Sequence, residues 1–198
     1  MSDLTLPFLG FNLPVLEFTA VVFGFLSVWL NTRQNIWVWP TGLISVTLYV
    51  LIFLDARLYA DMGLQVVYVV LSLYGWWAWL YGGPDGDVLP VTQLTQTHGA
   101  ILGGIGVAAM LGMGFSLDRF TDADVPYWDA FTTAFSLVAQ WMMAKKILEH
   151  WLVWIVVDAV AIGVYIYKGL YLTAGLFAAF LVLATIGYVA WRRDVAQR

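Results

Sequence analysis

The side chain best placed for chemistry is Asp158, at the middle of an apolar run from His150 to Tyr167. An acid at mid-membrane depth costs about 2.5–3.5 kcal/mol on insertion scales, so it needs a partner or a job. Trp154 lies four residues before it and Trp151 seven, on one helical face. An anion beside an aromatic face is what a planar organic cation would seek. Three further polar stripes sit in apolar surroundings: Gln65, Tyr68 and Ser72; Thr132, Ser136 and Gln140; and Trp37, Thr41 and Ser45. Hydroxyls in such helices commonly bond their own backbone, and amides can serve as glue between helices. As a recognition set, these residues offer stacking and hydrogen bonds rather than bond-making groups. The candidate solute-binding residues are Trp154, Asp158, Gln65, Tyr68, Gln140, Trp151, Thr41 and Ser136.

The elements carrying them are set by composition. The 198 residues are 62% hydrophobic and 11% charged, against roughly 45–50% and about 25% in soluble domains. An all-α integral membrane protein is expected. Apolar windows fall at residues 15–31, 35–54, 62–81, 97–116, 127–144, 150–167 and 172–191, which makes seven candidate spans. Little chain is left for a soluble domain or for nucleic-acid binding. The start of the chain carries Asp3 and no Lys or Arg before Pro14, so the first span is expected to be retained rather than cleaved. The chain has no cysteine, and His98 and His150 lack metal-site spacing, so no metal or cofactor is expected. Pro40, inside the second window, is expected to kink its helix. Trp29, Trp39, Trp79, Trp141 and Trp191, near span ends, read as an interfacial belt.

A shift of 112 positions lays the first three spans on the last three without a gap. Glu17 falls on Asp129, Trp29 on Trp141, Arg33 on Lys145, Trp39 on Trp151, Gly75 on Gly187 and Trp79 on Trp191. The chain divides accordingly into residues 1–95 as a first three-helix repeat, 96–118 as a linker helix and 119–198 as a second repeat. An even number of crossings separates equivalent helices, so the repeats should run parallel, an arrangement that places a solute site near the midplane and moves by rocking. Lys145, Lys146, Arg33, Arg192, Arg193 and Arg198 fall on one side and Arg57, Arg119 and Lys168 on the other. Six against three puts the C-terminus in the cytoplasm and the N-terminus outside. Most acids, including Asp55, Asp61, Asp118, Asp122, Asp124 and Asp129, fall outside, where they would concentrate cations.

These segments resemble a known family. The run LYADMGLQVVYVVLSLYGWWAW at residues 58–79, then Tyr127 to Asp129, AKKILEHWLVWIVVD and YKGLYLTA, look like the PnuC family of bacterial vitamin transporters. The resemblance spans nearly the whole chain. It implies seven helices in a three-plus-one-plus-three, SWEET-like arrangement and a homotrimer in the inner membrane. It also implies facilitated diffusion of nicotinamide riboside, trapped by a cytoplasmic kinase that need not touch the carrier. No phosphate-binding loop is needed, and no GxxxxGK[ST] is present. One position departs: riboside transporters resemble Trp-x-x-x-Asn on helix six, whereas this chain reads Trp154-Ile-Val-Val-Asp158. Asn both donates and accepts, while Asp supplies acceptors and a charge. The thiamine-transporting PnuT branch is therefore the alternative, since thiamine's aminopyrimidine offers donors to a carboxylate.

Other classes fit less well. An intramembrane enzyme needs an activated nucleophile or metal, and no histidine lies at membrane depth. A retinal protein needs a lysine in the last span, and residues 172–191 hold none. A cation channel titrating Asp158 would leave the aromatic and amide stripes unexplained.

Overall fold

The computed structural model describes residues 13–197. The segment inspected for a leader lies almost wholly outside them, as does Arg198. Seven α-helices follow one another: α1 (Leu13–Thr32), α2 (Val38–Asp55), α3 (Tyr59–Tyr81), α4 (Gln96–Phe120), α5 (Pro126–Ala144), α6 (His150–Tyr167) and α7 (Tyr171–Ala196). Among the described residues there is no strand, only an isolated parallel bridge between Thr92 and Ile147. All helices except α5 are long and apolar enough to cross a membrane. The exception has a physical cause. α5 packs against both α4 and α6 and buries Ala130, Ala134, Val138, Ala139 and Met142. A helix lined by protein needs less apolar surface than one facing lipid. The chain is an all-α, multi-pass membrane protein.

Contacts divide the chain into two compact units, residues 1–88 and 89–198. The helix read as a linker, α4, belongs to the second. It is held there by close approaches to α5: a Cβ at Gly106 would meet the Phe135 ring, and one at Gly114 the Tyr127 ring.

In the first unit, α1 and α2 are clasped by two serines. Ser45 Oγ donates to the Ala20 carbonyl at 2.8 Å and Ser27 Oγ to the Val38 carbonyl at 2.9 Å. Each hydroxyl lies over a glycine of the other helix, Ser45 over Gly24 and Ser27 over Gly42. α2 meets α3 through Trp39, whose ring fills the space over Gly75 and stands edge-on to Trp79 at 5.4 Å. In the second unit Trp151 of α6 fills the space over Gly187 of α7 and stands edge-on to Trp191 at 5.8 Å.

The offset of 112 residues relates these two constellations atom group by atom group, and it relates the turns as well. Gln34 and Lys146 both take φ near +50°, at 52° and 55°, while Arg57 and Gly169 take 57° and 72°. The backbone bonds of the turns pair likewise: Asn35 to Leu30 with Ile147 to Met142, and Leu58 to Phe53 with Leu170 to Tyr165. Arg33 stacks on Trp29 at 4.3 Å and Lys145 on Trp141 at 5.1 Å.

Two expectations are corrected. Pro40 does not kink α2, because the helix starts at Val38 and the proline falls in its first turn. There its missing N–H would have had no intrahelical partner anyway. The belt reading fails for Trp39, Trp79 and Trp191, which are 1%, 2% and 0% exposed and serve as interhelical wedges. Only Trp29 and Trp141 of that set are exposed.

Gly187→Ala and Gly75→Ala should therefore each drive a methyl into an indole and destabilise the protein by about 1–3 kcal/mol. Gly175→Ala, where nothing lies within 4 Å of the added carbon, should be neutral or better. Thermal unfolding in detergent reads the difference.

Candidate functional site

Helix α6 forms because residues 150–167 are almost uniformly apolar, with one acid, Asp158, among them. Asp158 is 3% exposed, on a face shared with Trp151, Trp154 and Ala161. It sits eight residues after His150 and nine before Tyr167, roughly 12–13 Å from either helix end. Among the described residues it makes no hydrogen bond and no ion pair. A buried carboxylate without a protein partner is expensive. Trp154, one turn earlier, is half-buried.

The other candidates are placed as follows. Trp151 belongs to the packing: it is 1% exposed, tilted against His150 at 4.5 Å and wedged over Gly187. Its indole N–H is buried without a partner, as is that of its repeat counterpart Trp39. On α5, which packs against α6, Ser136 is buried and Gln140 half-buried. The neighbouring Thr132 hydroxyl donates to the Asp129 carbonyl at 3.0 Å, within its own helix. In the first unit Gln65 and Tyr68 are half-buried on α3, with Ser72 buried beside them in sequence. Thr41 spends its proton on its own helix, donating to the Trp37 carbonyl at 2.7 Å. The second unit thus brings together Trp154 and Asp158 on α6 and sets α5, with Ser136 and Gln140, against that helix.

Three side chains missed in the sequence frame α6. Glu149, just before its first residue, accepts the Leu94 backbone N–H at 2.7 Å. On either side of that bond Thr92 N–H donates to the Lys146 carbonyl at 3.1 Å and Leu148 N–H to the Thr92 carbonyl at 2.8 Å. The segment leading into α4 is thereby strapped to the α5–α6 turn. The Glu within AKKILEHW was visible, but its partner is a backbone group 55 residues away, which no spacing announces. His150 is fully buried, and its Nδ1 donates to the Ile147 carbonyl at 2.7 Å, which fixes the tautomer. At the far end of α6, Lys168 Nζ reaches both oxygens of Asp129, at 3.2 and 3.1 Å. Opposite charges at the end of one helix and the start of another were the available signal.

The arrangement can bind and orient a polar or cationic aromatic solute. It offers no nucleophile with a base beside it. Among the described residues no group of three or more His, Cys, Asp or Glu could hold a metal.

Comparison with known proteins gives a consistent answer. The family model described as "Nicotinamide mononucleotide transporter" matches residues 14–193. The chain is 25% identical to the nicotinamide riboside transporter PnuC of Escherichia coli (strain K12), over 96% of this chain and 90% of that one. It is also 25% identical to the riboflavin/roseoflavin transporter RibM of Streptomyces davaonensis, over 87% and 84%. The crystal structure of the vitamin B3 transporter PnuC superposes with a TM-score of 0.72 at 26% identity, covering 92% of this chain and 83% of that one.

Replacing Glu149 by Ala should strand the Leu94 N–H and cost about 1–3 kcal/mol, with faster proteolysis of residues 82–95 by a nonspecific protease. Glu149→Gln keeps an acceptor and should stay close to the parent.

Proposed function

This chain belongs to the nicotinamide mononucleotide transporter family, the PnuC family of membrane transporters, and we propose that it takes up nicotinamide riboside by facilitated diffusion. The observation carrying this reading is the match over nearly the whole chain to relatives named as nicotinamide riboside transporters, together with Asp158, buried at mid-helix beside Trp154, as the group suited to a cationic solute. The riboside's pyridinium ring is a flat cation. It stacks on Trp154 and sets its charge or its donors against Asp158. Gln140, with Ser136 behind it, serves the solute's polar edges, and the same reading assigns Gln65 and Tyr68 to hydrogen bonding. Relatives named as nicotinamide riboside transporters support the solute class. Release on the inner side suits uptake drawn forward by cytoplasmic phosphorylation of the solute.

One observation favours a second solute. The carboxylate at position 158 stands where the riboside signature has an amide, and thiamine's amino group and ring cation would both suit it. The riboflavin/roseoflavin relative indicates that this architecture accommodates different vitamins.

The same proposal includes an inner-membrane setting with the C-terminus cytoplasmic, on the excess of Lys and Arg in the odd connections and tail. It also includes a homotrimer. α4 presents an exposed stripe of small residues every fourth position, Ala100, Gly104, Ala108, Gly112 and Ser116, which would let a neighbouring helix approach closely. Nothing lies within 4 Å of a carbon added at Gly104 or Gly112. Gly112→Leu should leave each chain folded and shift the assembly to monomer, read by light scattering on the detergent-solubilised protein; an unchanged mass would remove α4 from the interface.

Uptake by proteoliposomes tests the solute. Labelled nicotinamide riboside should enter faster than thiamine. Asp158→Ala should cut entry at least tenfold and Asp158→Asn by less, because Asn keeps one acceptor oxygen while it loses the charge and exchanges the other oxygen for an NH2 donor. Thiamine entering faster, with that advantage lost in Asp158→Asn, would transfer the chain to the thiamine reading.

A further inference from the structure

The face of α6 turned away from Asp158 lines a groove. At about 100° per residue, Val160, Gly163 and Tyr167 point to the side opposite the carboxylate. With Ala159 and Val164, and with Val125 and Trp128 at the start of α5, they line a groove of about 430 Å³. That volume lies in the range of roughly 300–1,000 Å³ usual for small-molecule sites. The lining is apolar and contains no titratable group apart from the Tyr167 phenol. The floor is made shallow by Ala159 and Gly163, the walls by branched side chains. At its end stand two exposed aromatics, Trp128 and Tyr167, at 55% and 74% exposure. The residues next to them in sequence are Asp129 and Lys168, the half-exposed ion pair.

We infer that this groove holds one acyl chain of a zwitterionic phospholipid from the surrounding bilayer, with its headgroup at the Asp129–Lys168 pair. Each part of the lipid meets a matching part of the groove. The hydrocarbon lies on Ala159, Val160, Gly163 and Val164. The glycerol region meets Trp128 and Tyr167, whose amphipathic rings suit the boundary of the hydrocarbon. An ion pair is complementary to a zwitterion: Lys168 to the phosphate, Asp129 to the ammonium. A purely anionic head would meet only half of that pair and be repelled by the other half. A second copy of the chain is a poorer occupant, because an apolar helix face would leave the charges of the Asp129–Lys168 pair beside the groove without a complement. The lipid would brace α6 from behind while its other face handles the solute.

The glycine makes the test clean. Nothing lies within 4 Å of a carbon added at Gly163, so a large side chain there fills the groove without displacing protein. The purified full chain, delipidated in detergent, is mixed with phosphatidylethanolamine or phosphatidylglycerol, and retained lipid is counted by native mass spectrometry. Phosphatidylethanolamine should be retained at one per chain and at least tenfold more than phosphatidylglycerol. Gly163→Phe, with Ala159→Phe as the second variant, should lose it at least tenfold while solute affinity by calorimetry stays within twofold. Equal retention of both lipids would overturn the headgroup assignment. Undiminished retention in both variants, with or without a change in oligomer mass, would overturn the site.

Discussion

Inside a bilayer, burying an apolar side chain against protein gains little over leaving it against lipid, so helices are held by close fit and by hydrogen bonds. Everything else in this structure depends on how that constraint is met. Each unit meets it with the same device, an indole laid over a glycine and braced edge-on by a second indole. Trp39 uses Gly75 and Trp79, and Trp151 uses Gly187 and Trp191. The glycines allow the approach and the large rings supply the contact area. Where no wedge is used, serine hydroxyls bond across to carbonyls, as Ser45 does to Ala20.

The two units share this frame and differ in what is attached to it. Equivalent turns keep equivalent left-handed residues, Gln34 with Lys146 and Arg57 with Gly169. The counterpart of Glu149 under the same offset is Trp37, which has no carboxylate to hold a backbone N–H. Only the second unit therefore carries the strap from Thr92 and Leu94 onto the turn before α6. Likewise Asp158 corresponds to Val46. The acid and the strap thus belong to the second unit, which also holds α4.

The spans were legible because a bilayer forces near-continuous apolar runs, and the repeat because matched Trp and Gly stand at one offset. The role of those residues was not. An indole near a span end looks the same in sequence whether it faces headgroups, as Trp29 does, or wedges between helices, as Trp39 does. Pro40 read as a kink because periodicity does not locate a helix start to within a turn. Of the candidate site, Asp158 stood out through the cost of its charge. Trp151 was grouped with it by spacing, although shared face does not imply shared surroundings. The Glu149 strap was hidden because its partner is main chain, and main-chain groups leave no mark on a sequence.

A passive carrier must bind its solute well enough to select it and weakly enough to let go, and the role proposed for Asp158 beside Trp154 is to meet both demands. The most direct measurement is binding of nicotinamide riboside and of its reduced, uncharged dihydro form to the purified protein, followed by quenching of tryptophan fluorescence. If Asp158 reads the ring's charge, the cation should bind at least tenfold more tightly and the gap should close in Asp158→Asn. Equal affinity for the two forms would contradict the account and leave Asp158 without the role given to it.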